Sequence, residues 1–97
     1  MPKGYWVANV DVDDAEEYAK YVAANAVAFE KYGARFLVRG GRSTVVEGEM
    51  RSRVVVLEFK DYETALACYN SPEYQEAMKL REHCSQANLA IVEGWDG

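Results

Sequence analysis

At 97 residues, with 49% apolar and 12% aromatic content, the chain is sized for one small domain spanning residues 1–97 and is too apolar for disorder. Its formal charge of −5, from 11 Lys plus Arg against 16 Asp plus Glu, repels phosphate backbones and argues against nucleic acid as a partner. No apolar run approaches the ~20 residues that span a bilayer, and the opening "MPKGYWVANVDVDD" lacks the pattern of a secretory signal, so a cytoplasmic protein with no membrane contact is expected.

The elements follow in order. "GYWVANVD", Gly4 to Asp11, mixes aromatic and β-branched residues and reads as a first strand. In "DVDDAEEYAKYVAANAVAFEKYG" the apolar residues Ala15, Tyr18, Ala19, Val22, Ala26 and Phe29 recur at helical spacing. Asp13 is the expected N-cap, Glu16 completes a capping box, and Gly33 ends the helix. "ARFLVRGG" gives a second strand, "RSTVVEGEMRS" a hairpin arm and turn, and "RVVVLEF" a third strand. Asp61 caps a helix over "DYETALACYN", and "SPEYQEAMKLREHCSQA" reads as another before a last strand, "NLAIVEG". The break at Asn70 has a local cause, because Pro72 disfavours helical geometry at Ser71 but suits the first turn of a new helix that Ser71 caps. Cys68 and Cys84 sit in separate helical segments without metal-ligand spacing and read as buried thiols.

This order predicts an α+β fold, a ferredoxin-like βαββαβ sandwich with a four-stranded antiparallel sheet and helices on one face. Strand one puts Trp6, Ala8 and Val10 on one side and Tyr5 and Val7 on the other; strand three opposes Val55, Leu57 and Phe59 to Val54 and Val56. Neither side is clearly polar, and the helices shelter one. The other side is expected to meet a second copy, giving a homodimer through sheet faces.

Several residues carry candidate chemistry. Asn9 interrupts the apolar alternation of the first strand, where an amide can orient a substrate carbonyl; the competing reading is an amide bonded to its neighbours. Glu58 shares a side with Val54 and Val56, so desolvation would tune it as an acid or base, whereas a symmetric hairpin pairs it with Arg35 in a structural ion pair. Arg35, Arg39, Arg42, Arg51 and Arg53 concentrate positive charge, and Arg39, beside Gly40-Gly41, is the expected contact for a small organic acid, against the plainer reading of a solvated hairpin whose arginines discourage edge pairing. Tyr18, Tyr21, Tyr69, Tyr74, Ser71 and Arg81 complete the expected ligand-binding group, with core packing as the plainer account of the tyrosines.

"YWVANVDVDDAEEYAKYV", "KYGARFLVRGG", "LEF", "CYNSPEYQEAMKLR" and "IVEG" together resemble the family filed as domain of unknown function 1330. The resemblance covers nearly the whole chain and implies the dimeric α/β-barrel superfamily, in which two ferredoxin-like subunits pair their sheets and each keeps a pocket between sheet and helices. It implies no activity, since relatives across the superfamily include cofactor-independent monooxygenases, haem-degrading monooxygenases, muconolactone-type isomerases and ligand-sensing domains. The haem-degrading relatives resemble a site of Asn, Trp and His. Here Trp6 points away from Asn9, Trp95 lies in the tail and His83 reads as an exposed helix residue, so no haem and no other cofactor is expected. The resulting expectation is a homodimer with a small-molecule pocket, either a cofactor-independent isomerase or monooxygenase acting on a small organic acid, with Glu58 as acid/base and Asn9 as carbonyl partner, or a ligand-binding or sensing module without catalysis, with a purely structural dimer as the third reading.

Overall fold

The computed structural model describes residues 2–96, and its elements run β1 (Gly4–Val12), α1 (Ala15–Lys31), β2 (Arg35–Arg39), β3 (Arg53–Phe59), α2 (Tyr62–Asn70), α3 (Pro72–Met78) and β4 (Ser85–Glu93). The strands form one sheet in the order β2-β3-β1-β4, and every neighbouring pair is antiparallel. This is the ferredoxin-like α+β arrangement, with the helical segment after β3 split in two.

Each helix starts where a side chain supplies the missing hydrogen-bond acceptor. Asp14, one residue later than the expected Asp13, caps α1 by accepting from the amides of Glu16 and Glu17. Asp61 caps α2 through the Thr64 amide at 2.7 Å. Ser71 does two things at the α2–α3 break: its hydroxyl donates to the Cys68 carbonyl at 2.7 Å and accepts from the Tyr74 amide at 3.1 Å, while Pro72 occupies the first turn. The third helix is much shorter than its sequence pattern suggests, stopping at Met78, and hydrogen-bonded turns carry the chain to Cys84. The last strand accordingly begins at Ser85, three residues before "NLAIVEG". The expected hairpin arm over 42–52 is not a strand, and its side chains are exposed apart from a half-buried Arg51, with Val46 at 85%.

The buried stripe of α1 is Tyr18, Tyr21, Asn25, Ala28 and Phe29, whereas Ala15, Ala19 and Ala26 face solvent. This stripe packs on the sheet side that carries Trp6, Val10, Leu57 and Phe59. Trp6 is the hub: it is 2% exposed, its ring lies 4.8 to 5.8 Å from those of Phe29, Phe59, Tyr69 and Tyr74, and its indole N–H donates to the Ala65 carbonyl at 2.8 Å. Cys68 and Cys84 are buried free thiols, and burial pushes the Cys68 thiol up to about 12. No described helix is long and apolar enough to cross a membrane.

The opposite sheet side has no helix over it among the described residues, and the smallest dimension of the molecule, 17 Å, fits one sheet and one helical layer. Its rows follow from the register: Arg35, Glu58, Tyr5 and Val92; then Val38, Val56, Val7 and Ala90; then Val54, Asn9 and Asn88. Val7 remains 41% and Val92 44% exposed.

Lys31, in the last turn of α1, meets Glu73, in the first turn of α3, at 2.8 Å. Lys31 and then Glu73's own backbone amide hold the Glu73 carboxyl below its ordinary range, and the pairing raises Lys31 above its own. Because the folded state binds the Glu73 proton less readily than the unfolded chain, this contribution is full above the ordinary carboxylate range and fades as pH falls through the depressed value. The lysine half is likewise lost as pH rises through the raised Lys31 value. Glu73→Gln is expected to give a shallower acid-side loss of stability in urea unfolding followed from pH 7 to pH 3, and an unchanged slope contradicts the linkage.

Candidate functional site

The inner face of β1 alternates Trp6, Ala8 and Val10, so a methyl group lies between two large side chains where α1 passes over the sheet. The gap is a cavity of about 50 Å³, walled by Tyr18, Tyr21 and Asn25 of α1, Phe36 of β2, Val55 of β3 and Tyr74 of α3. One water needs roughly 10–15 Å³ on this measure, so the space suits a few waters or one small ligand.

Three arginines border it: Arg39, Arg53 and Arg81. Each guanidinium approaches an aromatic face, Arg39 over Phe36 at 4.3 Å, Arg53 over Tyr18 at 6.0 Å and Arg81 over Tyr21 at 5.4 Å. Among the described residues none of the three forms an ion pair, and no Asp or Glu lines the cavity. The Arg53 Nε is buried without a hydrogen-bond partner. The Tyr21 and Tyr74 hydroxyls share a 2.8 Å hydrogen bond that joins α1 to α3, and Arg81 donates to the Tyr74 oxygen at 3.4 Å. Burial first, and the neighbouring Tyr21 second, push the Tyr74 hydroxyl far up, so it stays protonated at neutral pH. Burial raises the Tyr18 hydroxyl as well.

Arg39 reaches the cavity through an irregularity in β2. Phe36 pairs with Leu57, Val38 with Val56 and Arg39 with Val55, leaving Leu37 as an extra residue. Without that bulge, residues 36 and 39 would fall on opposite sides of the sheet; with it, both face the helices. Gly40 follows at φ +67°, its amide donating to the Val54 carbonyl at 2.8 Å, and a Cβ there would fall on the Arg53 guanidinium.

The structure therefore gathers Tyr18, Tyr21, Arg39, Tyr74 and Arg81 at one cavity. It separates the others. Tyr69 packs behind Trp6 and Tyr74 with its hydroxyl 3.5 Å from the Met78 sulfur, and Ser71 is spent on capping. Asn9 and Glu58 are on the opposite sheet side, where they cannot join the cavity residues in one site of the same protomer. The Asn9 oxygen accepts from the Arg51 amide at 3.1 Å and the Asn88 side chain at 3.2 Å. Glu58 does lie opposite Arg35, but the two form no ion pair among the described residues; Glu58 accepts instead from the Tyr5 hydroxyl at 3.3 Å. Arg51 is taken up by Asp11 at 3.0 Å, and His83 is exposed beside Glu17 at 3.2 Å. Two polar cavity residues, Arg53 and Asn25, lie outside the site expected from sequence. Arg53 shares parity with Val55 and Leu57 and so faces inward. Asn25 is four residues from Tyr21 and seven from Tyr18, on the same helical stripe.

The model of the family described as Domain of unknown function (DUF1330) matches residues 3–95, and the chain belongs to that family. No curated protein matches it. Among solved structures it is similar to a protein of unknown function from Rhodopseudomonas palustris, with a TM-score of 0.77 and 19% identity over 99% of this chain and 85% of that one. It is also similar to SnoaB, a cofactor-independent oxygenase from Streptomyces nogalater, with a TM-score of 0.63 and 13% identity over 100% and 97% of the two chains. A dimeric ferredoxin-like protein of unknown function from Thermobifida fusca gives a TM-score of 0.56 and 10% identity, covering 95% and 91%. At these identities the likenesses establish the fold.

Gly40→Ala is expected to lose about 1–2 kcal/mol in urea unfolding, from the left-handed backbone alone, and to move Arg53. Gly41→Ala, with φ outside that region and nothing within 4 Å of the added methyl, is the neutral control. Equal effects at both positions would contradict the placement.

Proposed function

We propose that this family member is a homodimer whose cavity, between sheet and helices, binds a small organic acid, with the anionic group on the arginines and a compact apolar body against Ala8 and Val55. The observation that carries the reading is the set of three guanidiniums without carboxylate partners around an apolar space, in a chain whose net charge is −5. A protein with 16 acidic side chains has ample means to neutralise three arginines. Leaving them unpaired while holding them on aromatic rings keeps a donor array ready for a carboxylate, at little reorganisation. The Tyr18 and Tyr74 hydroxyls, kept protonated by burial, supply further donors.

Binding is favoured over catalysis. The lining holds no carboxylate, imidazole or thiol to move a proton near neutral pH, and Glu58 and Asn9, the acid/base and the carbonyl partner of the catalytic alternative, lie across the sheet. Support for a cofactor-independent oxygenase is limited to the fold shared with SnoaB. The dimer is supported by the apolar rows around Val7 and Val56 and by the dimeric state of the Thermobifida fusca protein. In such a dimer Asn9 and Glu58 would be polar groups of the subunit interface.

Calorimetric titration tests the ligand. Butyrate is expected to bind and butyramide not, and Arg53→Gln or Arg81→Gln each to weaken butyrate about tenfold or more, as expected for loss of a hydrogen bond to a charged group. Equal binding of the amide overturns the anion reading. For the dimer, light scattering at micromolar concentration is expected to give twice the chain mass, and a monomer that persists as concentration rises contradicts it.

A further inference from the structure

We infer that Asn25 makes the cavity selective for acids carrying a second oxygen, a hydroxyl or a carbonyl, so that the ligand class is a small hydroxy or oxo acid. The inference rests on the anion-pocket reading and adds the residue that reads the rest of the ligand. Asn25 lies in the middle of the buried stripe of α1, one turn from Tyr21 and one turn from Phe29, where packing alone calls for an apolar side chain. It is 6% exposed and lines the cavity, and its amide has no side-chain hydrogen bond to any described residue. Its polar atoms are not among the described ones sealed from solvent without a partner, so the amide keeps access to the space that the three arginines surround and is available to a group bound there.

The chemistry of the amide sets the ligand's second group. Its oxygen accepts from a hydroxyl and its nitrogen donates to a hydroxyl or carbonyl, so either oxygen function satisfies it where a methylene leaves it unpaired. The level of Asn25 along α1 separates this contact from two of the cations. Arg81 lies over Tyr21 and Arg53 over Tyr18, about 6 Å and 10 Å back along the axis at 1.5 Å per residue. The anionic group and the second oxygen are thus read by different elements, the first by arginines from β2, β3 and the turn after α3, the second by α1.

The test compares butyrate with 2-, 3- and 4-hydroxybutyrate and 2-oxobutyrate by calorimetric titration of the wild-type protein and of Asn25→Leu. At least one oxygenated acid is expected to bind the wild type roughly tenfold more tightly than butyrate, the size of one well-made hydrogen bond. Asn25→Leu is expected to abolish that preference while leaving butyrate within about threefold; should Asn25→Leu fail to fold, Asn25→Ala is used with the same expectation. Equal binding of all the acids by the wild type overturns the role of Asn25 and leaves the anion pocket standing, since a cavity water then satisfies the amide. A preference that survives the substitution overturns it too. Failure of every acid to bind removes the anion pocket and the inference together.

Discussion

The packing of one indole organises the molecule. Trp6, from the central strand β1, contacts rings contributed by α1, α2, α3 and β3, and its N–H fixes α2 through the Ala65 carbonyl. A side chain this large, buried at the sheet centre, contributes several kcal/mol that the remaining small core needs. Because strands alternate, placing Trp6 under the helices also commits Ala8 and Val10 to that side. The cavity is a consequence: Ala8 is too small to fill the height that Trp6 sets for the helical layer. The same alternation sends Tyr5, Val7 and Asn9 to the bare side, which separates the two groups of polar residues by the thickness of the sheet.

Electrostatics then gives the cavity its character. Guanidiniums held on aromatic faces are less hydrated than ammonium groups would be and stay charged at any relevant pH, which suits them to a half-buried anion site. Their positions come from three unrelated devices. A bulge at Leu37 turns Arg39 inward, strand parity at the start of β3 turns Arg53 inward, and the hydrogen-bonded turns after a short α3 set Arg81 beside Tyr74. Carboxylates with a ready partner, Asp11 with Arg51 and Glu73 with Lys31, are all outside this group.

Much of the fold was legible because it is written in local chemistry. Period-two alternation located β1 and β3, the Ser71-Pro72 step located the helix break, and Asp61 and Gly33 marked element ends. What the pattern hid had specific causes. Asp13 and Asp14 are equivalent cap candidates in sequence, and only the chain path into α1 selects the second. Leu37 looks like an ordinary strand residue, so the bulge that decides the side of Arg39 left no trace. Glu58 was expected to meet Arg35 from register alone, but Tyr5 flanks it from the other neighbouring strand and takes the hydrogen bond. Asn25 carries no signal of its own in sequence: an isolated amide in an alanine-rich helix has no assigned side until the direction of the buried stripe is known. The 42–52 segment carries the β-branched run Thr44-Val45-Val46 yet pairs with no strand among the described residues, so composition there overstates strand.

The central claim is that three of the six arginines form an anion site and the others do not. Nitrogen-15 NMR of the arginine Nε–H groups during titration with butyrate reads each guanidinium separately. The account predicts saturable shifts of Arg39, Arg53 and Arg81 with one common midpoint, while Arg35, Arg42 and Arg51 stay nearly fixed. Uniform small shifts of all six, growing linearly with added salt, would contradict it.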